Sequence, residues 1–147
     1  MGSVFEKFSP AMRLRIVINF AKLVAEMHNL GIGHHDLHSN NIVIDPKTKK
    51  ITILDADSFW KFPNTREAWK VANGILNVDL SSIFRGNDII FYHYGEKLGY
   101  TYAMAFFVTY MHHYVGHNSL GPQIKKIIRA RLEQYIKDRF PTYWPKP

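Results

Sequence analysis

The chain has 147 residues, 46% of them hydrophobic and 21% charged, which is typical of one folded globular domain and excludes a disordered chain. It contains no cysteine, so disulfide bridges and thiolate metal sites are excluded. The formal net charge of +7 favours anionic partners, such as nucleotides, nucleic acids or acidic lipids, without choosing among them.

The distribution of charge and apolar residues narrows the possible partners. The lysines and arginines are spread along the chain, so a dedicated nucleic-acid surface is not expected. The N-terminus lacks the basic region and long apolar run of a signal peptide. The most apolar stretch, residues 100–114, is interrupted by polar residues and is too short to cross a bilayer. We therefore expect no membrane span.

The first predicted helix follows Ser9 and ends before Gly31. Ser9 is a favourable N-cap, Pro10 suits the first helical position, and Gly31 suits a left-handed C-terminal cap. Between them, apolar residues recur at helical spacing. They are Leu14, Val17, Ile18, Ala21, Val24, Ala25 and Met27. This pattern predicts one long amphipathic helix.

A β-hairpin is predicted next. Two β-branched runs, residues 42–45 and 51–55, flank a polar turn at residues 46–50 that begins with proline. A hairpin brings the residue before its first strand close to the residue after its second strand. Asn41 and Asp55 are therefore expected to lie near each other at the open end.

Three more helices are predicted, at residues 65–76, 98–114 and 122–139, with a loop at Gly86 and Asn87. The apolar face of the last helix contains Ile124, Ile127, Ile128, Leu132, Tyr135 and Ile136. The segment 88–94 is aromatic and ambiguous. The fold class is therefore predicted to be mainly α with one small β-hairpin.

A single domain spanning residues 1–147 is predicted, with residues 1–8 as a possible tag or arm and residues 140–147 as a proline-rich tail. Aromatic residues between 91 and 107 are assigned to the core, with a docking surface as the alternative. They are Phe91, Tyr92, Tyr94, Tyr100, Tyr102, Phe106 and Phe107.

Asp36, Asn41 and Asp55 carry the groups that phosphoryl transfer requires. Magnesium prefers carboxylate and amide oxygens as ligands. A further carboxylate orients the attacking hydroxyl. One loop offers an Asp and, five residues later, an Asn, and the hairpin returns a second Asp to the same place. The spacing of these residues indicates a phosphotransfer site.

Residues 34–41 read HHDLHSNN and residues 54–57 read LDAD, with a helix before them and the hairpin between them. This pattern resembles the catalytic core of the protein-kinase superfamily, in which H-x-D-L-x-x-x-x-N is followed by a hairpin and an Asp-centred triplet. The resemblance covers about a third of the chain. It implies the C-terminal, helical lobe of the protein-kinase-like fold.

The resemblance implies a role for each site residue. Asp36 matches the catalytic base, and Asn41 and Asp55 match the two magnesium ligands, so Mg²⁺ and ATP are the implied cofactors. His34 matches a structural histidine that ties the catalytic loop to the metal-binding triplet. His38 stands where many protein kinases have a lysine that contacts the transferred phosphate, so it is assigned either to cofactor binding or to packing.

The sequence also departs from the family pattern. Only eight residues precede Ser9, and the chain contains neither G-x-G-x-x-G nor V-A-I-K, so the nucleotide-covering N-terminal lobe is expected to be absent. We therefore expect a protein partner or a second copy to cover that face. His35 replaces the usual arginine that receives an activation-loop phosphate, and Ala56 follows Asp55 where the family has phenylalanine.

Two functions stay open. The first is a minimal or split kinase that moves the γ-phosphate of ATP to a hydroxyl with the help of a partner. The alternative is a non-catalytic kinase mimic, a pseudokinase, which binds and regulates a kinase or another host protein. By analogy, a reduced kinase suits a bacterial effector or a virus, so the cytoplasm or a host cell is the expected location.

For single residues, purely structural roles also stay open. Asp36 could be a turn or capping residue, and Asn41 and Asp55 could form hydrogen bonds at the end of the hairpin without a metal. Asp57 is either a surface residue or a second metal contact. His113 and His117 lie four residues apart, but Gly116 interrupts the helix and no acidic partner accompanies them, so we do not expect a metal site there.

Overall fold

The computed structural model describes residues 2–86 and 91–145, and most of these residues are helical. The helices are α1 (Gly2–Glu6), α2 (Pro10–Asn29), α3 (Ala68–Gly74), α4 (Ser81–Gly86), α5 (Glu96–His113) and α6 (Gly121–Arg139). The strands are β1 (Ile32–His34), β2 (Ile42–Ile44), β3 (Ile51–Ile53) and β4 (Phe59–Lys61). Short 3₁₀ turns lie at Ser39–Asn41 and Ala56–Ser58, and a π-helical turn, Ile75–Leu80, joins α3 to α4. The predicted class, mainly α with a small hairpin, is confirmed.

Helix α2 begins and ends as predicted. The Oγ of Ser9 accepts a hydrogen bond from the backbone N–H of Met12 at 3.2 Å, and Gly31 has a φ of 76°, which is the left-handed conformation of a helix cap. The face that α2 buries comprises Ile16, Val17, Phe20, Ala21, Val24, Ala25 and His28. This face packs against α5, where the rings of Phe20 and Phe106 lie 5.8 Å apart.

Helices α5 and α6 also confirm the predictions, with start points that differ by one or two residues. The fully buried face of α6 comprises Ile124, Ile128, Leu132 and Ile136, whereas Ile127 and Tyr135 are only partly buried. The aromatic residues assigned to the core lie there: Phe91, Tyr102, Phe106 and Phe107 are buried, and Tyr92, Tyr94 and Tyr100 pack against them.

The helix predicted at residues 65–76 is wrong at both ends. The Oγ1 of Thr65 accepts a hydrogen bond from the backbone N–H of Glu67, so the chain turns there and α3 begins only at Ala68. The helical path then continues through the π-helical turn to Gly86, because its apolar face stays buried as far as Phe84. Asn87 and the ambiguous residues 88–90 lie outside the described residues.

Two separate antiparallel sheets are present, each of two strands. The predicted hairpin pairs β2 with β3, with Val43 opposite Thr52. Strands β1 and β4 form the second sheet, which the sequence did not predict because IGH and FWK contain no β-branched run and no short turn joins them. A Cβ on Gly33 of β1 would lie 2.3 Å from the Trp60 Nε1, so only glycine permits this close pairing.

Residues near the N-terminus contribute to the core. Phe5 is fully buried, and its ring lies 6.2 Å from that of Tyr102. The guanidinium of Arg13 donates hydrogen bonds to the carbonyl oxygens of Phe5 and Glu6 at 3.1 and 2.7 Å, which fixes α1 to the start of α2. Among the helices within residues 2–86 and 91–145, none is long and apolar enough to cross a membrane.

Candidate functional site

His34 connects the loop of residues 34–41 to the end of the hairpin. Its side chain is fully buried, and its Nδ1 accepts a hydrogen bond from the backbone N–H of Asp36 at 3.0 Å. Its Nε2 lies 2.8 Å from the carbonyl oxygen of Leu54 and donates to it, because a carbonyl can only accept. The imidazole therefore holds the loop beside Leu54, the residue that precedes Asp55.

The carboxylate of Asp36 contacts one side chain at each oxygen. The amide nitrogen of Asn41 lies 3.1 Å from the Asp36 Oδ2 and 2.9 Å from the Asp36 carbonyl oxygen. The Nε2 of His38 lies 2.9 Å from the Asp36 Oδ1, and the Asp36 side chain is still 48% exposed. The carboxylate is therefore both held in place and accessible to a small molecule.

Asp55 has an unusual backbone conformation at the end of the hairpin. Its φ of 67° lies in the left-handed region, which a non-glycine residue seldom occupies and which costs energy. The Oγ of Ser58 donates to the Asp55 Oδ2 at 2.7 Å, and the backbone N–H of Ser58 donates to the Asp55 carbonyl oxygen at 3.0 Å. These two hydrogen bonds hold the Asp55 side chain and backbone against the Ala56–Ser58 turn.

Asn41 and Asp55 meet at the open end of the hairpin. The backbone N–H of Leu54 donates to the carbonyl oxygen of Asn41 at 2.7 Å, so Asp55 lies one residue beyond a direct backbone contact with Asn41. Because the Asn41 amide nitrogen donates to Asp36, its amide oxygen is the group left for a ligand. The hairpin thus brings Asp36, Asn41 and Asp55 to one end of the small sheet.

Asp79, in the π-helical turn, supports this loop from below and was not predicted from the sequence. Its side chain is fully buried, and both of its oxygens lie 3.1 Å from the backbone N–H of His34. The Nε1–H of Trp60 donates to the Asp79 Oδ1 at 3.0 Å, and the Nε2 of His28 lies 2.5 Å from the Oδ2. One carboxylate therefore joins α2, β1, β4 and the π-helical turn.

A buried tyrosine extends the same network. The hydroxyl of Tyr110, on α5, lies 2.6 Å from the Nδ1 of His28. Complete burial, with smaller effects of Tyr114 and Asp79, raises the pKa of Tyr110 well above its usual range, so the hydroxyl stays protonated. The Nε2 of His28 donates to the Asp79 carboxylate. An acidic residue within the apolar run ILNVDL, residues 75–80, is the signal that could have revealed this network, since a buried carboxylate requires partners.

Asn41 and Asp55 are the two side chains whose oxygens the kinase resemblance assigns to magnesium. Asn41 and Asp55 offer an amide oxygen and a carboxylate, and magnesium usually combines one or two such ligands with waters and substrate phosphates. Within the described ranges, no group of three or more His, Cys, Asp or Glu side chains could hold a metal ion. These two residues would therefore hold the ion only together with phosphate oxygens.

An apolar groove of about 630 Å³ lies on the face formed by the second half of α2, β3 and β4. Its lining includes Met27, Leu30, Ile53 and Phe59, and Glu26, Lys50 and Lys61 also line it. Leu30 is 75% exposed and Phe59 is 44% exposed, which is unusual for large apolar side chains that lie so close together. A contiguous apolar groove of this kind indicates an interaction surface.

Comparison of the chain with protein-family models, curated proteins and solved structures gives no match. The mainly helical fold with two small antiparallel sheets stands on the structure itself. The likeness to the kinase catalytic core rests on the sequence pattern of residues 34–41 and 54–57 alone.

Proposed function

We propose that this chain is the helical lobe of a protein-kinase-like phosphotransferase, minimal or split, which moves the γ-phosphate of ATP to a hydroxyl with the help of a partner. The observation that supports this most strongly is the hydrogen-bonded pair of Asp36 and Asn41 beside the strained Asp55. A loop that served only as a connection would not need a half-exposed aspartate with a side-chain partner at each oxygen.

Each residue has a definite task in this proposal. Asp36 accepts the proton of the attacking hydroxyl and orients its oxygen. Asn41 and Asp55 hold magnesium, which when bound neutralises charge on the nucleotide phosphates. His34 and Asp79 keep the loop in register with the hairpin through buried hydrogen bonds. His35 leaves no arginine at the position next to Asp36, so control by an activation-loop phosphate is not part of the proposal.

Magnesium-dependent ATP binding tests this proposal. We expect titration calorimetry to detect binding of Mg·ATP by the wild-type protein. We expect the Asp55→Ala variant to bind Mg·ATP at least about tenfold more weakly, because it lacks one of the two proposed protein ligands. A tenfold loss of affinity corresponds to about 1.4 kcal/mol. Asp138→Ala is the matched control, since Asp138 is an exposed aspartate on α6 that contacts only Gln134 in the described structure.

The outcome of this titration separates the two functional classes. Binding that Asp55→Ala removes and Asp138→Ala preserves supports a working nucleotide site. A wild-type protein that shows no heat of binding at millimolar Mg·ATP, or whose binding does not depend on magnesium, would exclude the enzyme interpretation for this chain on its own.

The second candidate is a non-catalytic binding module, a kinase mimic that binds and regulates a kinase or another protein. The groove beside α2 favours it, because exposed apolar side chains such as Leu30 and Phe59 are stabilised when a partner covers them. The groove also carries charges of both signs, Glu26 with Lys50 and Lys61. A surface with both signs can complement itself in a two-fold dimer, so a second copy of the chain is the partner to test first.

Self-association through the groove is measurable by sedimentation equilibrium. We expect the wild-type protein to form a dimer, and we expect Leu30→Lys to weaken the dimer at least about tenfold, because it places a charge in the apolar contact. Val108→Lys is the control, since Val108 is 57% exposed on α5, outside the groove. A strictly monomeric wild-type protein, or equal effects of both substitutions, would contradict a dimer through this groove.

A further inference from the structure

We infer that His38 is a positioning residue for Asp36, which holds the plane of its carboxylate and does not itself contact the transferred phosphate. This inference rests on the proposed function, since it assigns a task to a second side chain of the same site. His38 lies two residues after Asp36 in the loop, and its Nε2 lies 2.9 Å from the Asp36 Oδ1.

Both ring nitrogens of His38 have partners within the loop. The backbone N–H of Asn40 donates to the Nδ1 of His38 at 3.2 Å, which makes His38 the N-terminal cap of the Ser39–Asn41 turn. Since Nδ1 accepts, the ring proton lies on Nε2 and is donated to Asp36. Neither nitrogen is left to bind a phosphate or to take a proton from a substrate hydroxyl.

Two neighbouring side chains fix the orientation of the Asp36 carboxylate. His38 holds its Oδ1, and the Asn41 amide holds its Oδ2 at 3.1 Å. Rotation of the carboxylate about the Cβ–Cγ bond would break at least one of these hydrogen bonds. The side chain is 48% exposed, so packing alone does not fix it. The two flanking donors therefore set the direction of the remaining lone pairs, which is the requirement for a group that accepts a proton from a hydroxyl.

Histidine suits this position because its ring can accept at one nitrogen and donate at the other. A lysine has donors only, and it could not accept from the backbone N–H of Asn40. The imidazole joins two functions in one rigid ring, because it caps the turn that carries Asn41 and donates to Asp36. The ring thereby links the backbone of the turn to the Asp36 carboxylate.

The closing experiment has one arm that does not depend on activity. Nitrogen-15 NMR of the histidine rings at neutral pH is expected to show His38 with its proton on Nε2, and the chemical shift of that nitrogen is expected to change in Asp36→Ala. The exposed His112 on α5 is the control, and its shifts are expected to stay the same. If His38 carries its proton on Nδ1, or if Asp36→Ala leaves its nitrogen shifts unchanged, the inference is overturned whether or not the protein is an enzyme.

The kinetic arm uses Mg·ATP with water as the phosphate acceptor. His38→Ala is expected to lower the turnover number about ten- to a hundredfold, since a misplaced catalytic group costs up to about that much, while the Kd for Mg·ATP stays within about twofold. His38→Gln is expected to recover most of the turnover, because its amide can still donate to Asp36. A weakened Kd with unchanged turnover would overturn the inference, because it would place His38 on the nucleotide. If the wild-type protein has no turnover, phosphotransfer by this chain on its own is excluded, while the NMR arm still decides the contact.

Discussion

Replacement of Asp79 by alanine is expected to lower the free energy of unfolding by about 3–5 kcal/mol, the range for removing one partner of a buried ionic or hydrogen-bonded network. The reason lies in the donors that the substitution would leave behind. His28, the backbone N–H of His34 and the Trp60 indole all donate to this one carboxylate, which is fully buried.

A loss of that size is a large fraction of the total stability of a domain, which is about 5–15 kcal/mol. Urea unfolding followed by circular dichroism measures it. Asp138→Ala is the control and should leave the midpoint unchanged, because its side chain is exposed. The extrapolation from urea has an error of about 1 kcal/mol. If the free energy of unfolding of Asp79→Ala lies within about that error of the wild-type value, the buried network does not support the loop in solution.

Replacement of Asp36 by asparagine is expected to lower phosphotransfer about 10²–10⁴-fold, which is the usual contribution of a positioned general base. The amide keeps the size of the side chain and one oxygen that accepts from His38, and the Asn41 amide nitrogen can still donate to the backbone carbonyl of residue 36. The side chain is half exposed, so the fold should stay intact although the hydrogen bond from Asn41 to the second oxygen is lost. It cannot take the proton of a hydroxyl. Binding of Mg·ATP should stay within about threefold of wild type, because the two proposed magnesium ligands are Asn41 and Asp55.

Single-turnover kinetics and calorimetry on the same preparation separate these two effects for Asp36→Asn. Asn41→Ala is the contrasting variant, and we expect it to weaken both binding and turnover, since it removes a proposed magnesium ligand and a hydrogen bond to Asp36. Full activity of Asp36→Asn would show that this aspartate is a turn residue, which is the bland interpretation of the motif. Equal losses of binding and turnover would place Asp36 on the metal instead.

Much of the helical fold could be predicted from local patterns. Ser9, Pro10 and Gly31 mark the ends of α2 because capping and left-handed backbone depend on residue type and on only a few neighbours. The hairpin was predicted for the same reason, since its turn and its two β-branched runs are adjacent in sequence. The start of α3 was not, because Thr65 forms a turn that competes with capping.

The second sheet and the helical path from α3 to α4 depend on contacts between distant residues. Strand β1 pairs with β4, and the β2–β3 hairpin lies between them in the sequence. The pairing places Gly33 directly against the Trp60 side chain. Neither strand contains a β-branched run, and no short turn joins the two, so no local signal marks the pair. The continuation through Ile75–Leu80 is likewise decided by burial of its apolar face and not by helix propensity.

The candidate site divides along the same line. The amino-acid sequence alone determines which groups are available, because the offsets between Asp36, Asn41 and Asp55 follow from one loop and one hairpin. Tertiary structure decides how these groups are held. His34 reaches Leu54, and Asp79 supports the loop across 45 residues of sequence. Buried hydrogen bonds of this kind depend on the packing that excludes water, and packing between distant segments leaves no periodic trace in the sequence.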